Sequence, residues 1–488
     1  VPKEPDTLNP LLGYASDGGS LIFDGLVARD QRNQLIPALA AWLPKVSADG
    51  RSVTATLRRG VTFHDGSALT AADVVFTYTS VLDPKVDSTL RSDLEMLAAV
   101  AAPDDGTVVF TLKYPYAPFL QRLTLGIVPA KAFAGQDINT AVFNTRPIGT
   151  GPYRVSSWTP GDKLTLVANP NYWAGAPKNG KVIAAFIPDD NVRAQRVQAG
   201  EVDAAELPPR LAATFEGGSG LRVEKVRSAS YRGVMLPMKN PVTGDLAVRK
   251  ALDLAVDRQA IVKGVLAGAG DPAFTPITAD SPFALPAARG RPAADLTAAT
   301  ALLDGAGWAV GPDGVRVRQG IPAAFTLMYP ASDTLRKELA LAFTADAEKI
   351  GIRITPQGLT WEAIEPRMKD DALVMGWGSP YDPDFVNFKL FGSAFAQKGF
   401  FNPGSYASPV TDKALQTGRG VADHAARKAA YATFQRQLAI DVPWVFLVFL
   451  QHTYVVKDSV HGIVPRVEAQ EHGVANSLWW NLPTWTRS

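Results

Sequence analysis

Cysteine is absent from the 488-residue chain, so it can form neither disulfides nor thiolate metal sites. Histidine is scarce, with five scattered copies, which leaves little for imidazole metal clusters or general-base chemistry. Apolar runs such as residues 445–450 fall far short of the roughly 20 residues needed to span a bilayer. Net charge is nearly missing as well: the formal value is +2, both signs are interspersed, and no long basic tract occurs. That balance argues against nucleic acid or a membrane surface as the main partner.

Catalytic signatures are also lacking. There is no G-x-S-x-G elbow, no H-E-x-x-H, and no G-x-G-x-x-G opening a helix. The string GAPKNGKV at 175–182 has the spacing of a phosphate-binding loop. It lacks the hydroxyl residue after the lysine, carries Pro177 inside, and follows a turn rather than a buried strand. His64 and Asp65 resemble half a metal site without the other half nearby, and His64 reads as a turn histidine. Distant acids can still meet in a fold, so a hydrolase using paired carboxylates stays open as an alternative.

What is present reads as a globular chain, 46% apolar and 20% charged. At roughly 150 residues per domain its length allows about three domains. The most informative stretch is ALVMGWGSPYDPDFVNF, residues 372–388. Its apolar start reads as a buried strand, and Trp377, Gly378, Ser379, Pro380, Tyr381, Asp382, Pro383 and Asp384 as a stiffened loop bearing rings and carboxylates. Strands at 325–329 and 352–359 alternate with helices at 332–350 and 360–368, which predicts right-handed crossovers and parallel pairing. In such sheets ligands gather outside the carboxyl ends of strands, where this loop begins.

Elsewhere, Thr70 reads as the N-cap of a helix over 71–82, and 52–57 as a half-buried strand. Helical stretches are expected up to Leu26, over 37–42, and continuously over 246–266. The glycines of PIGTGPYRV, 147–155, read as permitting close backbone packing, and Trp479, Trp480 and Trp485 as pinning the carboxyl-terminal tail to a domain. The chain opens in what reads as the second half of a strand, so an export segment is expected to have been removed before Val1.

Eight blocks, in order, then carry a resemblance along nearly the whole chain: PDTLNP, LRRGVTFHDGSALTAADVVFTY, PIGTGPYRV, NPNYW, GEVDAAEL, AVRKALDLAVDRQAIV, LLDGAGW and SYASPVTDKAL. Together they resemble the extracytoplasmic substrate-binding proteins of peptide and nickel ABC transporters, solute-binding family 5. The resemblance implies an α/β, two-lobed periplasmic-binding-protein-like fold with mixed sheets, a hinge and an extra domain in the first lobe. The expected division is 1–42, 147–238 and 470–488 for domain I, 43–146 for domain II and 239–469 for domain III, with crossing segments near 236–240 and 465–470. It implies no catalysis and no cofactor: an interlobe cleft captures a peptide or peptide-like solute, or alternatively a nickel or other metal chelate, for ABC permease subunits. A non-transport sensor is a further alternative.

The same resemblance implies an extracytoplasmic, lipid-anchored monomer that binds no nucleic acid. The candidate ligand-binding residues are Tyr14, Asp17, Arg91, Trp377, Gly378, Ser379, Tyr381, Asp382 and Asp384, with no metal ligands. In the family's peptide binders an Asp three or four residues after the tryptophan pairs with the peptide amine. Here Pro380 and Tyr381 stand there, leaving Asp382 and Asp384 as the nearby acids. In the nickel binders the matching Trp and Tyr pack on a chelate, and the accompanying Arg has Arg122 as its nearest counterpart.

Overall fold

A computed structural model describes residues 1–16, 18–286, 293–470 and 477–488. The chain divides into two compact units: unit 1 comprises residues 1–226, 420–422 and 453–488, and unit 2 comprises 227–419 and 423–452. Among the described residues no helix is long and apolar enough to cross a membrane.

Unit 1 contains a four-stranded antiparallel sheet in which β1 (Ser52–Thr56) pairs with β3 (Thr107–Leu112), and β3 with β2 (Leu97–Asp104). Helix α1 (Ala71–Leu82) buries Ala71, Val74, Tyr78 and Val81, the three-and-four spacing of one helical face. Asp73 Oδ2 accepts from both the Thr70 amide (2.9 Å) and its hydroxyl (3.0 Å), so the expected cap is present. A second sheet runs β4 (Tyr153–Thr159), β5 (Lys163–Ala168), β6 (Lys181–Ala185). Lys181 of the dismissed phosphate-loop string therefore opens a strand, not a helix. Helix α2 (Asp190–Gln198) and β7 (Ala204–Leu207) follow. Trp479 and Trp485 are buried in the unit 1 core, while the Trp480 indole donates to Val464 O.

The 15-residue strand β8 (Leu221–Met235) passes out of unit 1 between Val226 and Arg227. Unit 2 continues with α3 (Leu246–Ala255) and α4 (Arg258–Gly264), then β9 (Ala324–Pro330), α5 (Thr334–Glu348), β10 (Arg353–Leu359) and β11 (Ala372–Trp377). Strand β9 is parallel to both β10 and β11, as the alternation predicts, and β11 is antiparallel to β8, which makes the sheet mixed. Ala372 and Val374 enter one core and Leu373 and Met375 another, so β11 is buried on both faces and reads as an unbroken apolar run. Helices α6 (Asp384–Phe391), α7 (Pro409–Gly420) and α8 (His424–Asp441) precede β12 (Trp444–Lys457), a 14-residue strand that returns to unit 1 between His452 and Thr453. Segments 236–240 and 465–470 lie inside unit 2 and unit 1 respectively.

Three local expectations fail for physical reasons. Residues 21–26 are not helical, because the carbonyls of Leu21 and Ile22 accept from the amides of Tyr153 and Gly151. Residues 37–42 are not helical: Pro37 ends a strand paired with Val27, and Ala40 forms a bridge to Leu57. The helix at 246–266 breaks at Val256, since Asp257 caps a new helix by accepting from the Ala260 amide. The sequence also reads 272–292 as a proline-rich connecting loop, of which residues 287–292 lie outside the described residues.

Candidate ligand-binding loop

The loop leaves the carboxyl end of β11 at Trp377. Gly378 has φ +146°, and a Cβ there would come within 1.8 Å of the Ala229 carbonyl oxygen, so the chain can only cross β8 this closely with glycine. Ser379 Oγ then accepts from the Tyr381 amide at 3.3 Å. Asp382 Oδ1 accepts from the Asp384 amide at 3.0 Å, starting α6 as a short polar side chain does at a helix entry.

Rings and acids part company at this point. The Trp377 ring is half-buried and stacks on Phe401 at a centroid separation of 6.1 Å, yet its indole N–H is buried without an acceptor among the described residues. The two acids expected to face a ligand are instead turned inward, each 4% exposed. Arg427 Nη2 donates to both oxygens of Asp382 (2.9 and 2.8 Å), while its Nε donates to Gly418 O at 2.7 Å. Arg419 pairs with Asp384 at 3.3 Å and lies 3.5 Å over the Phe388 ring. Carboxylates this desolvated need a partner, and α7 and α8 supply it from within the protein.

Tyr381 is 8% exposed. Between the loop and residues Pro276, Ile277, Thr278 and Ser281 only about 10 Å³ is open. That space suits a single water rather than a ligand.

The remaining candidates lie in unit 1. Gly13 sits against Thr89, whose hydroxyl donates to Leu12 O at 3.4 Å, so the segments carrying Tyr14 and Arg91 are neighbours. Burial pushes the Tyr14 hydroxyl up to about 12. Arg91 Nη2 donates to the carbonyls of Asp83 (2.8 Å) and Val86, tying its own loop together. Arg122 is ion-paired with Asp93 at 3.3 Å. Asp17 lies outside the described residues.

His64 is the turn histidine that the sequence suggests: Nδ1 accepts from the Gly149 amide (3.2 Å) and Nε2 faces Gly151 O at 3.0 Å. Burial lowers its pKa to about 4. Between those glycines, Thr150 donates to Asp24 Oδ2 at 2.9 Å, and Asp24 also accepts from Tyr172 (2.9 Å) and Trp173 (3.0 Å). A Cβ on Gly149 would meet Ile22 O at 2.0 Å, which explains the glycines of this turn as close-packing residues. Among the described residues no group of three His, Asp or Glu is placed to hold a metal ion.

Sequence reasoning missed the arginines. Arg419 and Arg427 carry no local signal, and neither does Arg232 on β8, which the register places opposite Gly376.

A family model described as bacterial extracellular solute-binding proteins, family 5, matches residues 34–399. Protein XP55 of Streptomyces lividans is 50% identical over 472 residues, covering 96% of this chain and 86% of that protein. Among solved structures, NikZ from Campylobacter jejuni in complex with Ni(L-His) matches with a TM-score of 0.88 at 30% identity, covering 100% of this chain and 98% of that one. AppA from Bacillus subtilis in complex with a nonapeptide matches with a TM-score of 0.81 at 27% identity, again over 100% and 98%. The α/β periplasmic-binding-protein-like fold class is the one these structures share. A mixed sheet that ends in an aromatic loop, a family match over most of the chain, and a half-identical relative lead to one assignment: the chain belongs to the bacterial extracellular solute-binding proteins, family 5.

Proposed function

We propose that this chain is the solute-binding component of an ABC importer, that its ligand is a peptide or peptide-like solute, and that the segment from Trp377 to Tyr381 contacts it. The observation that carries this reading is the Trp377 indole N–H, buried without an acceptor among the described residues where the loop leaves β11. An unmet buried donor costs about 1–3 kcal/mol, which a ligand carbonyl would relieve. Asp382 and Asp384 already face Arg427 and Arg419, so their part is to hold the loop. The ligand is then gripped by rings and backbone, with no ammonium anchored in this loop.

A metal chelate is the second reading, supported by the likeness to NikZ with its Ni(L-His). Metal would arrive with its own chelator, since the described residues offer no cluster for a bare ion. In both readings the protein acts outside the cytoplasm as a lipid-anchored monomer, without turnover and without nucleic acid, and hands the ligand to permease subunits. Gel filtration and fatty-acid labelling check the oligomeric state and the anchor.

Mass spectrometry of the co-purifying ligand, followed by fluorescence titration, tests the core of the proposal. Trp377→Ala should weaken binding by about 1–3 kcal/mol and leave the unfolding midpoint nearly unchanged. A peptide and its N-acetylated form should bind alike. A strong preference for the free amine would place an ammonium site near the loop after all, and cleavage of the peptide during incubation would make the protein an enzyme.

A further inference from the structure

Arg232 is a cation at the base of the loop. Its guanidinium lies across Gly376, where a Cβ would come within 2.4 Å of Nη1. Nη1 donates to Ser230 Oγ (2.8 Å) and Tyr231 O (3.0 Å), while Nε is buried with no acceptor among the described residues. Among the described residues no carboxylate forms an ion pair with it.

The acid whose field reaches Arg232 is Asp333, and Asp333 is already engaged at the start of α5. One of its oxygens accepts from the Arg336 amide at 2.8 Å and the other is ion-paired with the Arg336 guanidinium. Two guanidinium groups thus share one carboxylate. Desolvation, with the charge of Arg336 second, lowers the Arg232 pKa to about 9. The root of the loop sits beside the same spot: Gly378 rests on Ala229 and Ser230, and Ser230 is the residue that accepts from Arg232.

We propose that Arg232 anchors a carboxylate of the ligand, with Arg336 adding to the field. The local excess is a single positive charge, which a monoanion balances, and a planar guanidinium offers a carboxylate two parallel hydrogen bonds. A desolvated cation without an anion is costly, and a bound carboxylate would offset that cost. The inference deepens the transport reading and rests on it.

The test uses four probes on the full chain by calorimetry: a nonapeptide and its carboxyl-terminal amide, and Ni²⁺ with L-histidine or with L-histidinamide. Wild type should prefer at least one free acid over its amide by about tenfold or more. Arg232→Gln should erase that preference, Arg232→Lys should keep part of it, and circular dichroism should show both variants folded. Trp377→Ala, in contrast, should weaken acid and amide equally. Equal binding of acid and amide by wild type, or a preference that survives in Arg232→Gln, would overturn the anchor while leaving the transport reading standing. If no probe binds in either form, the peptide-or-chelate reading falls and the anchor falls with it.

Discussion

Two glycine- and proline-bearing loops in this chain bury a carboxylate, and they stabilise it by opposite means. In unit 1 the turn at 149–151 is held by neutral groups, Thr150, Tyr172 and Trp173 on Asp24 and His64 on the two glycines. In unit 2 the loop at 378–384 is held by guanidinium groups, Arg427 on Asp382 and Arg419 on Asp384. Neutral donors stabilise a buried charge only partly, and burial keeps the pKa of Asp24 raised despite three hydrogen bonds. Ion pairs cancel the charge but leave a large penalty when either partner is removed. The first arrangement tolerates single losses and responds to pH, whereas the second is brittle.

The largest expected effect comes from breaking the ion pair. Arg427→Met should strand Asp382 and cost about 3–5 kcal/mol in urea denaturation. Adding Asp382→Asn to that variant should recover much of the loss. A single variant within about 0.5 kcal/mol of wild type would show the unit 2 loop to be as tolerant as the unit 1 turn.

Acid should act mainly on unit 1. The folded pKa of His64 is about 4 against an ordinary 6.5, so the unfolded chain takes up the proton first. Stability is therefore fully present above about 6.5 and is lost as pH falls toward 4, by roughly 3 kcal/mol. Asp24 has the opposite sign: its raised pKa favours the protonated folded form, so its contribution is present at low pH and lost as pH rises through its folded value. The difference between wild type and His64→Gln in urea midpoint, followed from pH 7 to 4, isolates the first effect. A difference that does not change with pH would mean that His64 is not held neutral.

The smallest effect is expected for Asp24→Asn. It removes a desolvated charge but turns an amide donor toward one of three donors, for a net cost of about 1 kcal/mol by urea denaturation. A cost matching that of Arg427→Met would erase the distinction between the two loops.

Much of this arrangement was legible from the chain. Strand β11 was readable because burial on both faces leaves an unbroken apolar run, and the loop after it because tryptophan, two prolines and glycine follow at once. The 149–151 turn announced itself through glycines that a Cβ would drive into Ile22. Strand β8 did not, since Arg222, Glu224, Lys225 and Arg227 mask its alternation and no turn residue breaks its length. The inward facing of Asp382 was hidden for a different reason. Its partner lies 45 residues away on α8, and nothing local distinguishes an acid awaiting a ligand from one already paired. Arg232 poses the same problem in reverse, because the lack of a partner is a property of the whole packed neighbourhood.

The two long strands have a consequence for how the molecule is made. Unit 2 is nearly continuous in the chain, 227–452 apart from three residues, whereas unit 1 needs both residues 1–226 and residues 453–488. Chains are synthesised from the amino terminus and domains fold as units. The half of the molecule that begins first is therefore the half that finishes last: unit 2 has all its sequence once His452 has emerged, while unit 1 still waits for the 14th and last residue of β12 and for the tryptophan-rich tail. Until those final residues arrive, the hydrophobic surface that Trp479 and Trp485 will cover stays open, so a chain truncated near its end should be retained by chaperones rather than released.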